Sequence, residues 1–259
     1  MKLENVRVYN IANALFGMRN PKNSWGKYDT KSGIATYDEV AKMADNSEFD
    51  LKDILLYQDD KGMCEYCLIG PNDMKLAKAL KDAGTEHRKY LRQIFVTMDI
   101  TAPLYWWKEF DTYKVGTTSN SQSTMHKMAA KPITLDCFEI GNYNKNLVFE
   151  ESTGELSWDY KYTVDQVIGG ESEGSYHWDH CFIKFLEMLR QKYLETKDVR
   201  YWKELIRWLP ESWLQTRTIT LDYEVLSRMY YQRKDHKLSE WHWFCDRITN
   251  MPYAKDLIL

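Results

Sequence analysis

No stretch of the 259-residue chain approaches the roughly 18 consecutive apolar residues of a membrane span. The N-terminal residues lack a basic segment followed by a long apolar core, so no secretory leader is expected. Neither sign of charge dominates. The formal net charge of −3 argues against a nucleic-acid binder, which would usually carry a basic face. Cysteines are few and odd in number, at Cys64, Cys67, Cys137, Cys181 and Cys245. That fits a reducing, cytoplasmic compartment better than a disulfide framework. There is no Ser-His-Asp order, P-loop or Rossmann glycine pattern, which removes the case for a hydrolase, an NTPase or a dinucleotide-fold dehydrogenase. No internal repeat or clear linker divides the chain, so one α+β domain over residues 1–259 is expected, a sheet packed by helices with a helix-rich C-terminal third.

What the chain has in quantity is aromatic side chains, with ten Trp and eighteen Tyr. Such rings fill cores and also line pockets for flat ligands. The densest run lies in Phe95 to Met128. It opens as a strand-like segment, passes Pro103, and turns aromatic and charged from Leu104 to Lys114. A loop of small hydroxyl and amide residues, Gly116 to Thr124, is expected to follow.

Elsewhere the pattern predicts a strand over Asn5 to Tyr9 and a short helix over Ile11 to Met18. A helix over Tyr37 to Met43 has Thr36 as its cap, and another over Met74 to Ala83 has Asp73 or Asn72 as cap and Gly84 as stop. Glu86 to Gln93 reads as helical. Leu51 to Tyr57 and Gly62 to Ile69 flank a turn and fit either strand or helix. Asn142 to Ser175 is polar and glycine-rich, an excursion carrying a hairpin, with an alternating patch at Trp158 to Val164 and a loose tail at Gly169 to Gly174. Helices follow after His177, over Val199 to Trp208, over Tyr223 to Gln232 and over Leu238 to Thr249. Cys64 and Cys67 form a CxxC with no second cysteine pair, and His177 and His180 stand near Cys181. Structural thiols are the simpler reading, and no metal site is expected.

Several segments, in order, resemble the flavin-dependent thymidylate synthases over roughly residues 75 to 250. They are Ala83-Gly84-Thr85-Glu86-His87 with Phe95-Val96-Thr97, Glu109 to Lys114, the loop ending Ser121-Gln122-Ser123, Glu204 to Pro210, Leu221 to Leu226, Arg233, and Ser239-Glu240-Trp241. The resemblance implies an α+β fold and a homotetramer with active sites built between subunits. It implies FAD as cofactor, a pyrimidine deoxynucleotide (dUMP) as substrate, and methylenetetrahydrofolate and NADPH as co-substrates. It assigns the nucleotide to Glu109, Lys114, Ser121, Gln122, Ser123, Arg207 and Arg233, and the flavin to His87, Thr112, Tyr113, Asp222 and Arg228. No nucleophilic cysteine is needed.

The chain departs from the family at several of these positions. The Arg-His-Arg signature is Thr112-Tyr113-Lys114, and the glutamine before it is Glu109. An Asn and an Arg of the flavin-contacting motif are Asp222 and Glu224, acids that are expected to repel a pyrophosphate. Each candidate also has a structural use. Glu109 is suited to a surface ion pair with Lys108 or Lys114, the cations to solvated helix faces, and Tyr105, Trp106, Trp107 and Tyr113 to core packing. Two other functional readings stay open: a fold-sharing protein without flavin that binds or modifies another pyrimidine nucleotide or serves as an interaction module, and an unrelated helical binding protein.

Overall fold

The computed structural model describes residues 1–139, 148–150, 155–157, 175–176 and 178–259. The residues cluster into two units. The first is Met1–Thr101, Glu109–Ser121 and Thr216–Leu259; the second is Ala102–Lys108 and Gln122–Gln215.

In chain order the elements are β1 (Lys2–Tyr9), α1 (Ile11–Gly17), β2 (Lys31–Thr36), α2 (Tyr37–Asp45), α3 (Leu51–Ile54), β3 (Leu55–Gln58), β4 (Met63–Leu68), α4 (Pro71–Asp82), β5 (Phe95–Pro103), α5 (Leu104–Phe110), β6 (Thr117–Ser121) and α6 (Thr124–Lys127). Then come β7 (Val148–Glu150), β8 (Glu155–Ser157), β9 (Ser175–Tyr176), α7 (Trp178–Thr196), α8 (Val199–Arg207), β10 (Leu214–Asp222), α9 (Tyr223–Arg233) and α10 (Ser239–Thr249). The expected α+β class and helical C-terminal third are what the chain adopts, and no described helix is long and apolar enough to cross a membrane.

A four-stranded sheet in the order β1-β5-β10-β6 carries the first unit. Strict alternation makes β5 a central strand: Val96, Met98 and Ile100 are buried, while Thr97, Asp99 and Thr101 face the other way. That second face is a polar ladder to β10. Thr97 meets Thr220 at 3.1 Å, Asp99 accepts from Thr218 at 2.5 Å, and Thr101 meets Thr216 at 2.7 Å. Burial on the other face fixes the register, because a slip by one residue would turn these polar groups inward.

Helix ends follow local chemistry. Thr36 and Glu39 form a reciprocal capping box on α2, as Thr36 predicted. At α4 the expected cap is corrected. Asp29, from a distant segment, accepts from the backbone N–H groups of Asn72 and Asp73 at 2.9 and 3.0 Å. Gly70 is required there, since a Cβ would lie 2.2 Å from Asp29 Cγ. Asp73 is instead buried against Arg19. The segment 51–69 resolves into α3, β3 and β4, with β3 and β4 antiparallel and β2 on the other side of β4. Lys89–Gln93 is a 3₁₀ turn rather than the α-helix expected over Glu86 to Gln93. Cys64 and Cys67 are buried and unbridged, and burial pushes the Cys67 thiol up to about 12.

In the second unit, Met128, Ile133, Phe138, Leu186 and Leu205 form a core, with α7 and α8 packed together. Glu187 holds this unit's loop to its helix. It binds Arg190 through two hydrogen bonds, at 2.7 and 2.6 Å, and accepts from the Ile133 N–H at 2.7 Å. The hydrogen bonds from Arg190 hold its carboxyl down at about 2. Strand β7 pairs with β8 and with β9 in a small antiparallel sheet. The patch at Trp158 to Val164, the Gly169 to Gly174 tail and the side chains of His177, His180 and Cys181 lie outside the described residues.

Candidate functional site

The site grows out of the break between β5 and α5. Pro103 ends the strand and α5 begins at once; the first-turn N–H groups of Leu104 and Tyr105 donate to the carbonyls of Trp213 and Glu211, both at 3.1 Å. Helical spacing turns Trp106, Trp107 and Phe110 into the core, which is the structural use foreseen for the aromatic run. The same spacing leaves Glu109 one-third exposed at 33%. The helix stops at Phe110, where the Thr112 and Tyr113 N–H groups close tight turns onto the carbonyls of Glu109 and Phe110.

Glu109 meets residues far along the chain. Its Oε2 accepts from Arg233 Nη1 at 2.6 Å, a pair separated by 124 residues. The same oxygen lies 3.1 Å from Trp241 Nε1 and 3.1 Å from His236 Nε2. Arg233 also donates through Nε to the Tyr113 hydroxyl at 2.9 Å, and that hydroxyl donates to Gln232 Oε1 at 2.9 Å. The guanidinium sits between two rings, 5.5 Å from the Tyr113 centroid and 4.8 Å from that of Trp241. Arg233 ends α9, where a cation also meets the negative pole of the helix. The surface ion pair expected between Glu109 and Lys108 or Lys114 is a correction: Glu109 makes a part-buried pair with Arg233 instead, and Lys108 pairs with Glu211 at 2.5 Å.

Beside this cluster is a cavity of about 300 Å³ lined by Phe110, Asp111, Tyr113, Lys114, Thr117 and Ser119. The Thr117 hydroxyl is buried and meets no hydrogen-bond partner among the described residues. Lys114 is exposed. The segment expected as an open loop, Gly116 to Thr124, is a correction: Thr117–Ser121 is strand β6, paired antiparallel with β10 from Leu221↔Thr117 to Arg217↔Ser121. Its hydroxyl and amide side chains suit a polar sheet edge. Gly116 precedes it with φ +83°, and a Cβ there would lie 2.8 Å from Asp222 Oδ2.

Asp222 caps α9, accepting from the Val225 N–H at 2.8 Å, and burial pushes its carboxyl pKa up. Glu224 is buried and paired with Arg88 at 2.8 Å. The repulsion expected from these two acids is thus largely compensated inside the fold. Arg228 is exposed, reaches the Val115 carbonyl at 3.4 Å, and lies 6.0 Å from the Tyr113 ring. The Thr112 hydroxyl donates to the Glu109 carbonyl at 2.7 Å.

The structure therefore gathers Glu109, Thr112, Tyr113, Lys114, Asp222, Arg228 and Arg233 in the first unit. Ser121 ends β6, exposed. His87 is exposed in the turn after Gly84. Gln122, Ser123 and Arg207 belong to the second unit. There the Gln122 carbonyl accepts from Gln215 Nε2 at 2.8 Å, and Arg207 pairs with Glu204 on the exposed face of α8. Sequence reasoning missed His236, Trp241 and Gln232 as site residues. Their one signal was spacing: His236 follows Arg233 by three, and Trp241 opens the tryptophan-rich last helix. Among the described residues no group of three or more His, Cys, Asp and Glu could hold a metal.

The sequence matches no family model and no curated protein. Its backbone is similar to solved structures. Two are the flavin-dependent thymidylate synthase ThyX of Helicobacter pylori with FAD and dUMP, each with a TM-score of 0.56 and 13% identity, covering 100% of this chain and 98% or 97% of theirs. Another is the UMP/dUMP methylase PolB of Streptomyces cacaoi bound with 5-Br dUMP, at a TM-score of 0.44 and 15% identity, covering 89% of this chain and 94% of that one. At these identities the similarity is one of architecture: the chain shares the fold of the flavin-dependent thymidylate synthases.

Proposed function

We propose that the chain is a thymidylate synthase-like enzyme that binds a pyrimidine deoxynucleoside monophosphate and methylates C5 of the base with the help of flavin. dUMP is the reference substrate, since it is the nucleotide in the ThyX structures of the same fold. One observation carries the reading. Glu109 and Arg233, which the sequence resemblance assigned independently to the nucleotide, are 2.6 Å apart in the folded chain.

The chain's own residues would act by orientation and charge. Lys114, exposed on the cavity, supplies a point charge for the phosphate, and the partnerless Thr117 hydroxyl supplies a hydrogen bond. Arg233 braces Glu109 and Tyr113, so the base meets a preset surface. Arg228 and His87 are exposed groups suited to a pyrophosphate, and the acids Asp222 and Glu224 are already engaged inside the fold, which supports FAD as the cofactor. When bound, FAD would supply the redox chemistry, with NADPH as reductant and methylenetetrahydrofolate as one-carbon donor. Ser121 belongs to the same nucleotide site in this reading, and the sequence resemblance is what supports nucleotide roles for Gln122, Ser123 and Arg207 and a homotetramer of the cytoplasm.

A second reading, nucleotide binding without flavin, is favoured by Tyr113. Its ring is buried and its hydroxyl is engaged with Arg233 and Gln232, although its position in the motif is one that faces flavin in the family. The visible spectrum of the purified chain, with and without added FAD and dUMP, separates the two. A retained flavin band supports the first. A colourless protein that binds nucleotide in calorimetry supports the second. A chain that binds neither overturns both.

A further inference from the structure

The hydrogen bonds around Glu109 determine what its remaining oxygen can read. This inference rests on the nucleotide reading above and concerns which base is taken. Oε2 accepts hydrogen bonds from Arg233 Nη1 and Trp241 Nε1 and lies 3.1 Å from His236 Nε2. Guanidinium and indole nitrogens only donate. His236 is fixed in the same sense, because its Nδ1 accepts from the Leu238 N–H at 3.1 Å and the ring proton therefore sits on Nε2. Three donors converge on one oxygen, so any group in that place must accept. The other oxygen, Oε1, accepts from nothing among the described residues, on a side chain that is 33% exposed.

We propose that Glu109 Oε1 reads the base edge, and that the chain takes a cytosine nucleotide in preference to a uracil nucleotide. The exocyclic N4 amino group of cytosine presents a hydrogen to a carboxylate oxygen, with only the C5 hydrogen beside it. Uracil presents the O4 carbonyl at the same place, lone pair against lone pair. Its N3–H lies between two carbonyls that face the carboxylate. A polar site built for one pattern rejects the other strongly, since mismatching leaves desolvated polar groups unpaired.

The clamp makes a sharp prediction for Glu109→Gln. The amide oxygen must face the three donors, so the amide NH2 turns outward and becomes a donor. A donor there matches O4 of uracil and opposes N4 of cytosine. Preference should reverse, not merely weaken.

The experiment is titration calorimetry of the full chain with dCMP and with dUMP, for the native protein, Glu109→Gln and Trp241→Phe, with a thermal melt of each. The native chain should favour dCMP by about tenfold or more, Glu109→Gln should favour dUMP, and Trp241→Phe, which keeps the carboxylate, should still favour dCMP. If Glu109→Gln does not fold, the native and Trp241→Phe ratios decide the question alone. Equal or tighter binding of dUMP by the native chain overturns this inference and leaves the nucleotide reading standing. A folded Glu109→Gln with an unchanged ratio overturns the role of Glu109. Binding of neither nucleotide overturns the inference and the nucleotide reading together.

Discussion

Two carboxylates of the first unit are each held by an arginine, and they differ in what is left over. Asp73 is fully buried and its partner Arg19 is 3% exposed. Oδ1 lies 2.6 Å from Arg19 Nε, and Oδ2 accepts from the Thr30 hydroxyl at 2.6 Å and from the N–H groups of Thr30 and Asp29 at 2.9 and 3.0 Å. Nothing remains for a ligand. Glu109 has one oxygen with two hydrogen bonds and the His236 imidazole beside it, and one oxygen that accepts from nothing among the described residues, on a side chain one-third exposed. Saturation inside the core marks a group that holds the fold together. Partial satisfaction on a half-buried carboxylate, beside a cavity whose Thr117 hydroxyl meets no partner among the described residues, marks one that can act on something else.

The comparison breaks most visibly at Asp73. Asp73→Ala leaves Arg19 buried without its counter-charge and should cost about 3–5 kcal/mol in urea unfolding. A loss under about 1 kcal/mol would mean Arg19 escapes to solvent, and the contrast with Glu109 would collapse. Next is Gly116→Ala, between the cavity-lining residues Lys114 and Thr117. Its Cβ would meet Asp222 Oδ2 at 2.8 Å and Val225 Cγ2 at 2.9 Å in a left-handed conformation. A loss of about 1–3 kcal/mol is expected, with weaker nucleotide binding because β6 must shift.

Glu187 of the second unit tests saturation by pH. Its carboxyl, held at about 2 by Arg190, lies below its usual range. The stability it contributes is therefore present above the unfolded value, near 4.5, and is lost as pH falls toward 2. Acid titration of the folding midpoint should lose part of its slope in that window in Glu187→Gln. At Glu109, by contrast, Glu109→Ala should cost about 1 kcal/mol or less in stability, because the pair is partly solvated. Its effect belongs in nucleotide titration, where a charge-assisted bond contributes about 1.5–3 kcal/mol. The smallest effect is expected for Arg207→Ala on its exposed pair with Glu204, within about 0.5 kcal/mol of native stability. A clear loss of nucleotide affinity in that variant would support the nucleotide role that the resemblance gives Arg207.

Much of the framework was legible because it is local. Thr36 and Glu39 form their capping box within four residues, and α1, α2, α8, α9 and α10 begin and end near where capping and periodicity predict. The misses are non-local. The sequence of β10 has its apolar pattern broken by Arg217 and is rich in threonine, and the strand is central because β5 offers matching threonines and Asp99 on one side and β6 pairs on the other. The polar run Thr117–Ser121 has loop composition and becomes a strand because β10 presents an edge to it. Asp73 has the composition of a helix cap and is drawn inward because Asp29 takes that work.

The site divides in the same way. The sequence by itself determined the α+β class and the helical C-terminal third, since periodicity and caps are properties of neighbours along the chain, and its resemblance to a known family supplied the candidacy of Glu109, Lys114 and Arg233. Only the tertiary structure decided that Arg233 braces Glu109, that His236 and Trp241 join them, and that one carboxylate oxygen stays open. Hydrogen-bond saturation depends on donors more than a hundred residues apart, and no local pattern encodes which of two oxygens they reach.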